Sequence, residues 1–231
     1  MRSRQTNKPD KYIVSECVKV LRDELPYNLH IFVNSVEFIA KVIDTLKLAP
    51  EAVKVVCSTS GESRQENQRK LGNAYPIGQP SDPAKKINFY TSTCFEGCDI
   101  FDPDGVTFIV SDGRKAHTLL DISTLFTQIC GRIRDSRYKA QIVHVYSTTK
   151  YSKAVTLDEF VAATQRTLAD AESYAAEINS LSEATRVKTL SKIPYINEQY
   201  VRIADNRLIV EKNLANMDIV NFKISRHIYA T

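Results

Sequence analysis

The sequence predicts an α/β protein whose parallel sheet carries helices on both faces. Between residues 27 and 150, short apolar segments rich in Val, Ile and Phe alternate with helical patterns. Those segments lack the alternating polar positions of a half-exposed strand, as expected where both faces are covered. A chain of 231 residues that is 43% hydrophobic is long enough to bury one good core with a smaller appendage.

The elements follow in order. Residues 11–25 place Ile13, Val14, Cys17, Val18, Leu21 and Leu25 at helical spacing, and Pro26 stops the run. Residues 1–26 thus read as an N-terminal helical lead. Leu29 to Val33 is a buried strand, and Asn34-Ser35 closes it and caps the next helix. That helix carries Val36, Phe38, Ile39, Val42, Ile43 and Leu46 in one stripe before Pro50. Val53 to Cys57 is the second strand, Ser58 to Gly61 a turn rich in donors, and Glu62 to Leu71 a very polar helix. Ile87–Thr91, Val106–Val110 and Gln141–Tyr146 are further strands, and Leu119 to Arg132 is expected as a helix. Crossovers between such strands are right-handed.

Composition shifts after residue 150. Thr156 and Glu159 form a capping-box signature opening a long helix, Glu183 lies where a second helix restarts, and Pro194 ends the run. Residues 200–210 read as a β-hairpin around Ala-Asp-Asn, while 213–231 fit no single pattern. Residues 151–231 are therefore expected as a helical and β-hairpin extension.

Charge excludes some function classes. The net charge is +4, and residues 151–231 carry ten basic against ten acidic side chains, so no broad basic surface for nucleic acid is expected. A narrow track of amides and hydroxyls would not show in that count. No apolar run suits a transmembrane helix, and the polar N-terminus lacks a signal-peptide core. Five unpatterned cysteines fit a reducing, cytoplasmic setting, and no spacing predicts a metal site.

A parallel sheet places ligands at the carboxyl ends of its strands. The candidates there are Asn34-Ser35, Ser58 to Gly61, Thr91 to Asp99, and Asp112. Gly97 admits close backbone approach and Asp99 accepts hydrogen bonds. Gln128-x-x-Gly131-Arg132-x-Arg134 offers planar cations suited to phosphate. No Gly-x-x-x-x-Gly-Lys-Ser/Thr, Gly-x-Gly-x-x-Gly or Gly-x-Ser-x-Gly occurs.

Here the residues resemble a family. Ile87 to Ile100, a strand ending in Thr91 followed by Gly97-Cys98-Asp99, resembles motif V of superfamily 2 helicases. Gln128-Ile-Cys-Gly-Arg-Ile-Arg134 resembles motif VI, and Ile31-Phe-Val-Asn-Ser35 is similar to motif IV. Ser60-Gly61 ahead of a polar helix matches the intervening block in order.

The resemblance covers 27–150 and implies the second, C-terminal RecA-like lobe of a helicase or translocase. It implies Arg132 as arginine finger, Gln128 at the phosphates, and Gly97 and Asp99 lining the ATP cleft. Ser35, Ser60, Gly61 and Thr91 would hold a single-stranded nucleic-acid backbone, DNA before RNA. The P-loop, and most of the contacts to ATP and Mg²⁺, would come from an N-terminal RecA-like lobe absent from this sequence. The family's second arginine lies three residues after the first, where this sequence has Asp135, so Arg134 and Arg137 are both candidates. Such a lobe suits DNA replication or viral and mobile-element processes. The alternative is a RecA-like lobe that binds nucleic acid or protein without catalysis.

Overall fold

The computed structural model describes residues 1–120, 122–148, 151, 154–192 and 200–228. The chain divides into two compact units, Met1–Lys150 and Tyr151–Thr231.

The first unit is α/β with one sheet of six parallel strands. These are β1 (Arg2–Gln5), β2 (Asn28–Phe32), β3 (Val53–Val56), β4 (Ile87–Tyr90), β5 (Gly105–Ser111) and β6 (Ile142–Tyr146). Their order across the sheet is β1-β6-β5-β2-β4-β3, which puts β2 near the middle. β1 has no counterpart among the expected strands. Arg-Ser-Arg-Gln carries no apolar signature, yet it pairs with β6 at the sheet edge, where charged side chains are tolerated. Residues 1–26 thus supply this unit with an edge strand and a helix.

The two faces of the sheet carry separate cores. Leu29, Ile31, Val55, Phe89, Phe108 and Val145 face α1 (Pro9–Leu21), α2 (Val36–Leu46) and Leu71 of α3 (Gly61–Leu71). Phe32, Val56, Tyr90 and Ile109 pack on the other side against Cys94, Phe95, Ile100, Phe126 and Ile129. α1 ends at Leu21, earlier than expected, because Asp23 takes a left-handed conformation at φ 55°. The expected helix Leu119–Arg132 is mostly replaced. A π-helical turn spans Ile122–Phe126, and α4 is only Thr127–Cys130, while residue 121 lies outside the described residues. Ser123, Thr124 and Thr127 are weak helix formers, and Gly131 stops the helix.

The second face also carries buried polar groups. His30 is fully buried between Tyr90, whose hydroxyl lies 3.1 Å from Nδ1, and Asp102, 2.7 Å from Nε2. The carboxylate accepts a hydrogen bond from Nε2–H, so Nδ1 of the neutral ring accepts from the Tyr90 hydroxyl. Asp102 also accepts from Asn28 Nδ2 at 3.0 Å and from the Asp104 amide at 2.9 Å. Gly105 has no side chain because a Cβ there would sit 2.9 Å from the His30 ring.

The second unit is built from α5 (Leu157–Ser180), α6 (Glu183–Leu190), the hairpin β7 (Val201–Ala204) and β8 (Arg207–Val210), and α7 (Lys212–Ile228). Thr156 and Glu159 form the capping box at the start of α5. Asp205 and Asn206 turn the hairpin at φ 49° and 55°, the backbone a two-residue I′ turn requires. Asn179 on α5 exchanges two hydrogen bonds with the backbone of Leu208, and Phe160 stacks on Phe222 with ring centroids 4.5 Å apart. The segment with no single sequence pattern is thus largely helix α7. Pro194, the expected helix stop, lies outside the described residues.

Burial holds His30 below the usual imidazole range despite Asp102, and lowers His144 to about 3. Both are therefore neutral in the fold but take up protons on unfolding. A folded pKa below the unfolded one gives stability that is present above the unfolded pKa and is lost as pH falls. His144 alone should cost about 2 kcal/mol of stability between pH 7 and pH 5. Urea unfolding across that range should show this loss in the native chain and a shallower one in His144→Gln. Identical slopes would contradict the assignment.

Candidate nucleotide and nucleic-acid site

The carboxyl ends of β2, β3 and β4 open into a cleft of about 330 Å³. Asn34 and Ser35 from β2, Ser58 from β3, and Thr91 to Thr93 from β4 line it, joined by Val36 and Glu37 of α2 and by Asn67, Lys70 and His117, with the Glu37 carboxylate paired to Lys115. The sheet ladder brings these ends together, because the Val33 amide bonds the Tyr90 carbonyl at 2.9 Å and the Thr91 amide bonds the Val56 carbonyl at 3.0 Å.

Local bonding holds the lining in place. The Ser35 hydroxyl caps α2 by accepting from the Phe38 amide at 3.2 Å, so its capping role and its place in the cleft coexist. Asn34 ties two loops together. Its Nδ2 donates to the His117 carbonyl at 3.1 Å, and its Oδ1 accepts from the Ser92 amide at 3.3 Å. Asn67 donates to the Ser58 carbonyl at 3.1 Å. Lys70 pairs with Glu66 one turn earlier on α3 at 2.6 Å. Glu66 is exposed, so an incoming phosphate can compete for that cation.

Ser60 and Gly61 are exposed at the start of α3 and do not line the cleft. Ser60 reaches it only through Ser58, whose hydroxyl lies 2.9 Å away. Ser58 is thus the lining residue of that turn.

Gly97, Asp99, Gln128, Arg132 and Arg134 form a second group. Ile100 and Ile133 pair as an isolated parallel bridge. The Ile100 amide bonds the Arg132 carbonyl and the Arg134 amide bonds the Ile100 carbonyl, both at 2.9 Å. Gly97 turns the chain at φ 71°, a conformation that glycine adopts freely. Arg132 donates through Nε to the Gln128 carbonyl at 3.0 Å and through Nη1 to the Cys98 carbonyl at 2.9 Å. A guanidinium has five N–H donors, so these two bonds fix its plane and use two of the five.

Arg134 is engaged differently. It pairs with Asp99 at 2.8 Å, and both side chains are about half exposed. Arg137 is held by Asp104. Both candidates for a second finger are therefore committed to carboxylates within the unit. Burial raises the Cys94 thiol to about 12 and the Cys130 thiol to about 11, so neither is a thiolate at neutral pH. Among the described residues, no three His, Cys, Asp or Glu side chains gather as metal ligands.

Ser58, Ser92 and Thr93 belong to the strand-end segments that the sequence offers as candidates, whereas Val36, Glu37, Asn67, Lys70 and His117 were missed as lining residues. The three found are hydroxyl residues directly after strands, a signal that the five missed residues lack. Comparison with protein-family models, with curated proteins and with solved structures finds no match for this chain.

Asn34→Ala should lower the unfolding free energy by about 1 kcal/mol, the usual net worth of the hydrogen bonds it removes. Denaturant unfolding checks this, and an unchanged midpoint would show that Asn34 does not brace the cleft.

Proposed function

We propose that this chain carries the C-terminal RecA-like motor lobe of an ATP-dependent superfamily 2 helicase or translocase. The observation that carries the reading is the pairing of Ile100 with Ile133, which fastens the Gly97–Asp99 loop to the Gly131–Arg132 turn. In such a motor those two segments must act together on one nucleotide. ATP supplies the phosphoryl group whose transfer releases the driving energy. Arg132 stabilises charge building on that group with its remaining donors. Gly97 and Asp99 border the nucleotide, and Gln128 lies one helical turn before Arg132. The P-loop and the Mg²⁺ ligands belong to an N-terminal lobe, so hydrolysis requires both lobes.

Single-stranded nucleic acid, DNA before RNA, lies along the cleft. Ser35, Ser58 and Thr91 offer hydroxyls and Lys70 a cation to its phosphates, contacts that position the strand without reading its sequence. Ser60 and Gly61 meet it only at the margin. The non-catalytic reading draws on one observation, the commitment of Arg134 and Arg137 to Asp99 and Asp104. A motor needs the remaining donors of Arg132, and a binding module does not.

A labelled oligo-dT titrated into the chain and followed by anisotropy tests the cleft. Thr91→Val and Lys70→Ala should each weaken binding severalfold. Lys70→Ala should also flatten the salt dependence by about 0.7 in log K against log salt. Affinities equal to the native chain's would sink the track. In a two-lobed protein that includes this chain, Arg132→Ala should lower ATP hydrolysis by about 10³- to 10⁵-fold. A rate within a few-fold of the native one would favour the binding module.

A further inference from the structure

A second cavity, of about 360 Å³, opens at the amino ends of β5 and β6, the opposite end of the sheet from the cleft. Its floor is the apolar surface of Val106, Phe108 and Val143. β1 brings Arg2 and Arg4 to one side, since alternate residues of a strand share a face. Tyr12 and Glu16 of α1, and Tyr27 just before β2, complete the wall.

These groups answer to one another electrostatically. Burial, and then the Glu16 carboxylate, raise the Tyr27 hydroxyl, while Lys19 and Arg2 act the opposite way on it. Glu16 is largely buried and is paired on one oxygen with Lys19 at 2.7 Å. A single paired oxygen leaves the carboxylate able to accept a further N–H donor. The side chains of Arg2 and Arg4 make no ion pair or hydrogen bond among the described residues, unlike those of Arg114, Arg134 and Arg137, which are all matched to carboxylates. The cavity therefore offers two uncommitted guanidiniums, two aromatic rings and one carboxylate over an apolar floor.

We propose that this cavity binds a nucleoside monophosphate. The phosphate sits on Arg2 and Arg4, which suit planar, charge-assisted pairing with its oxygens. The base lies against Tyr12 and Tyr27 over the floor of Phe108, a stacking that tolerates any base. Glu16 accepts from an N–H group of the base, which favours bases carrying an exocyclic amine. The volume lies at the small end of ligand sites, suiting one nucleoside with one phosphate. The cavity shares no lining residue with the cleft or with the Gly97 to Arg134 group, so ligand there is distinct from the nucleotide of the motor reading.

Isothermal titration of this chain with AMP, CMP, GMP and UMP, each beside its nucleoside and beside inorganic phosphate, tests the proposal. A monophosphate should bind at least tenfold tighter than its nucleoside and than phosphate alone. Arg2→Ala with Arg4→Ala, both on exposed residues, should weaken it about tenfold or more, a loss of about 1.4 kcal/mol. Glu16→Gln should narrow the preference for AMP, CMP and GMP over UMP. Arg132→Ala should leave this binding unchanged whether or not the motor reading holds. Three results would overturn the proposal: no binding at millimolar concentration, binding no tighter than that of phosphate alone, or binding lost with Arg132 and kept without Arg2 and Arg4.

Discussion

The register of β2 between β4 and β5 is the constraint on which the rest of the first unit depends. Ile31 pairs with Phe89 on one side and Phe108 on the other, and the strand is buried on both faces. A slip of one residue would turn His30 into the core formed with α1 and α2 and turn Leu29 and Ile31 out of it. It would also break the bonds from His30 to Asp102 and Tyr90, leaving buried polar groups unpaired at about 1–3 kcal/mol each. The polar network thus fixes the register that apolar burial alone would leave less sharply defined.

That register sets the carboxyl end of the sheet. β2 leaves the core at Val33, so Asn34 and Ser35 emerge beside Thr91 with no freedom to shift along the strand. Asn34 spends both ends of its amide on neighbouring loops, and Ser35 begins α2, so the cleft is braced by the residues that line it. The second group depends on a shorter device. One isolated bridge, Ile100 with Ile133, and the Cys98 carbonyl on Arg132 place a loop after β4 against the turn after α4. Movement of one of these segments must therefore carry the other with it.

Much of this was legible in the sequence because apolar patterning and capping are local. β2 to β6, α2, α3 and the Thr156 capping box are written in runs of Val, Ile and Phe and in single hydroxyl residues. Ser35 and Thr91 were readable as strand-end hydroxyls, and Gly97-Cys98-Asp99 with Gly131-Arg132 as a spaced pair. β1 was not readable, because an edge strand needs only backbone pairing and Arg-Ser-Arg-Gln has no pattern to show. Nor was the engagement of Arg134 by Asp99, since 35 residues separate the partners and only the fold joins them. The short α4 escaped for another reason. Leu119, Leu120, Leu125 and Phe126 mimic a helical stripe, while hydroxyl-rich residues between them loosen the turn into a π-helical one.

The most direct test of the proposed nucleic-acid track is to follow backbone amide resonances of the chain while oligo-dT is added. The largest changes should fall on Asn34, Ser35, Ser58 and Thr91 to Thr93, with smaller ones on Ser60 and Gly61. Changes concentrated elsewhere on the molecule, or none at saturating oligonucleotide, would contradict the placement of the strand at the carboxyl ends of β2, β3 and β4.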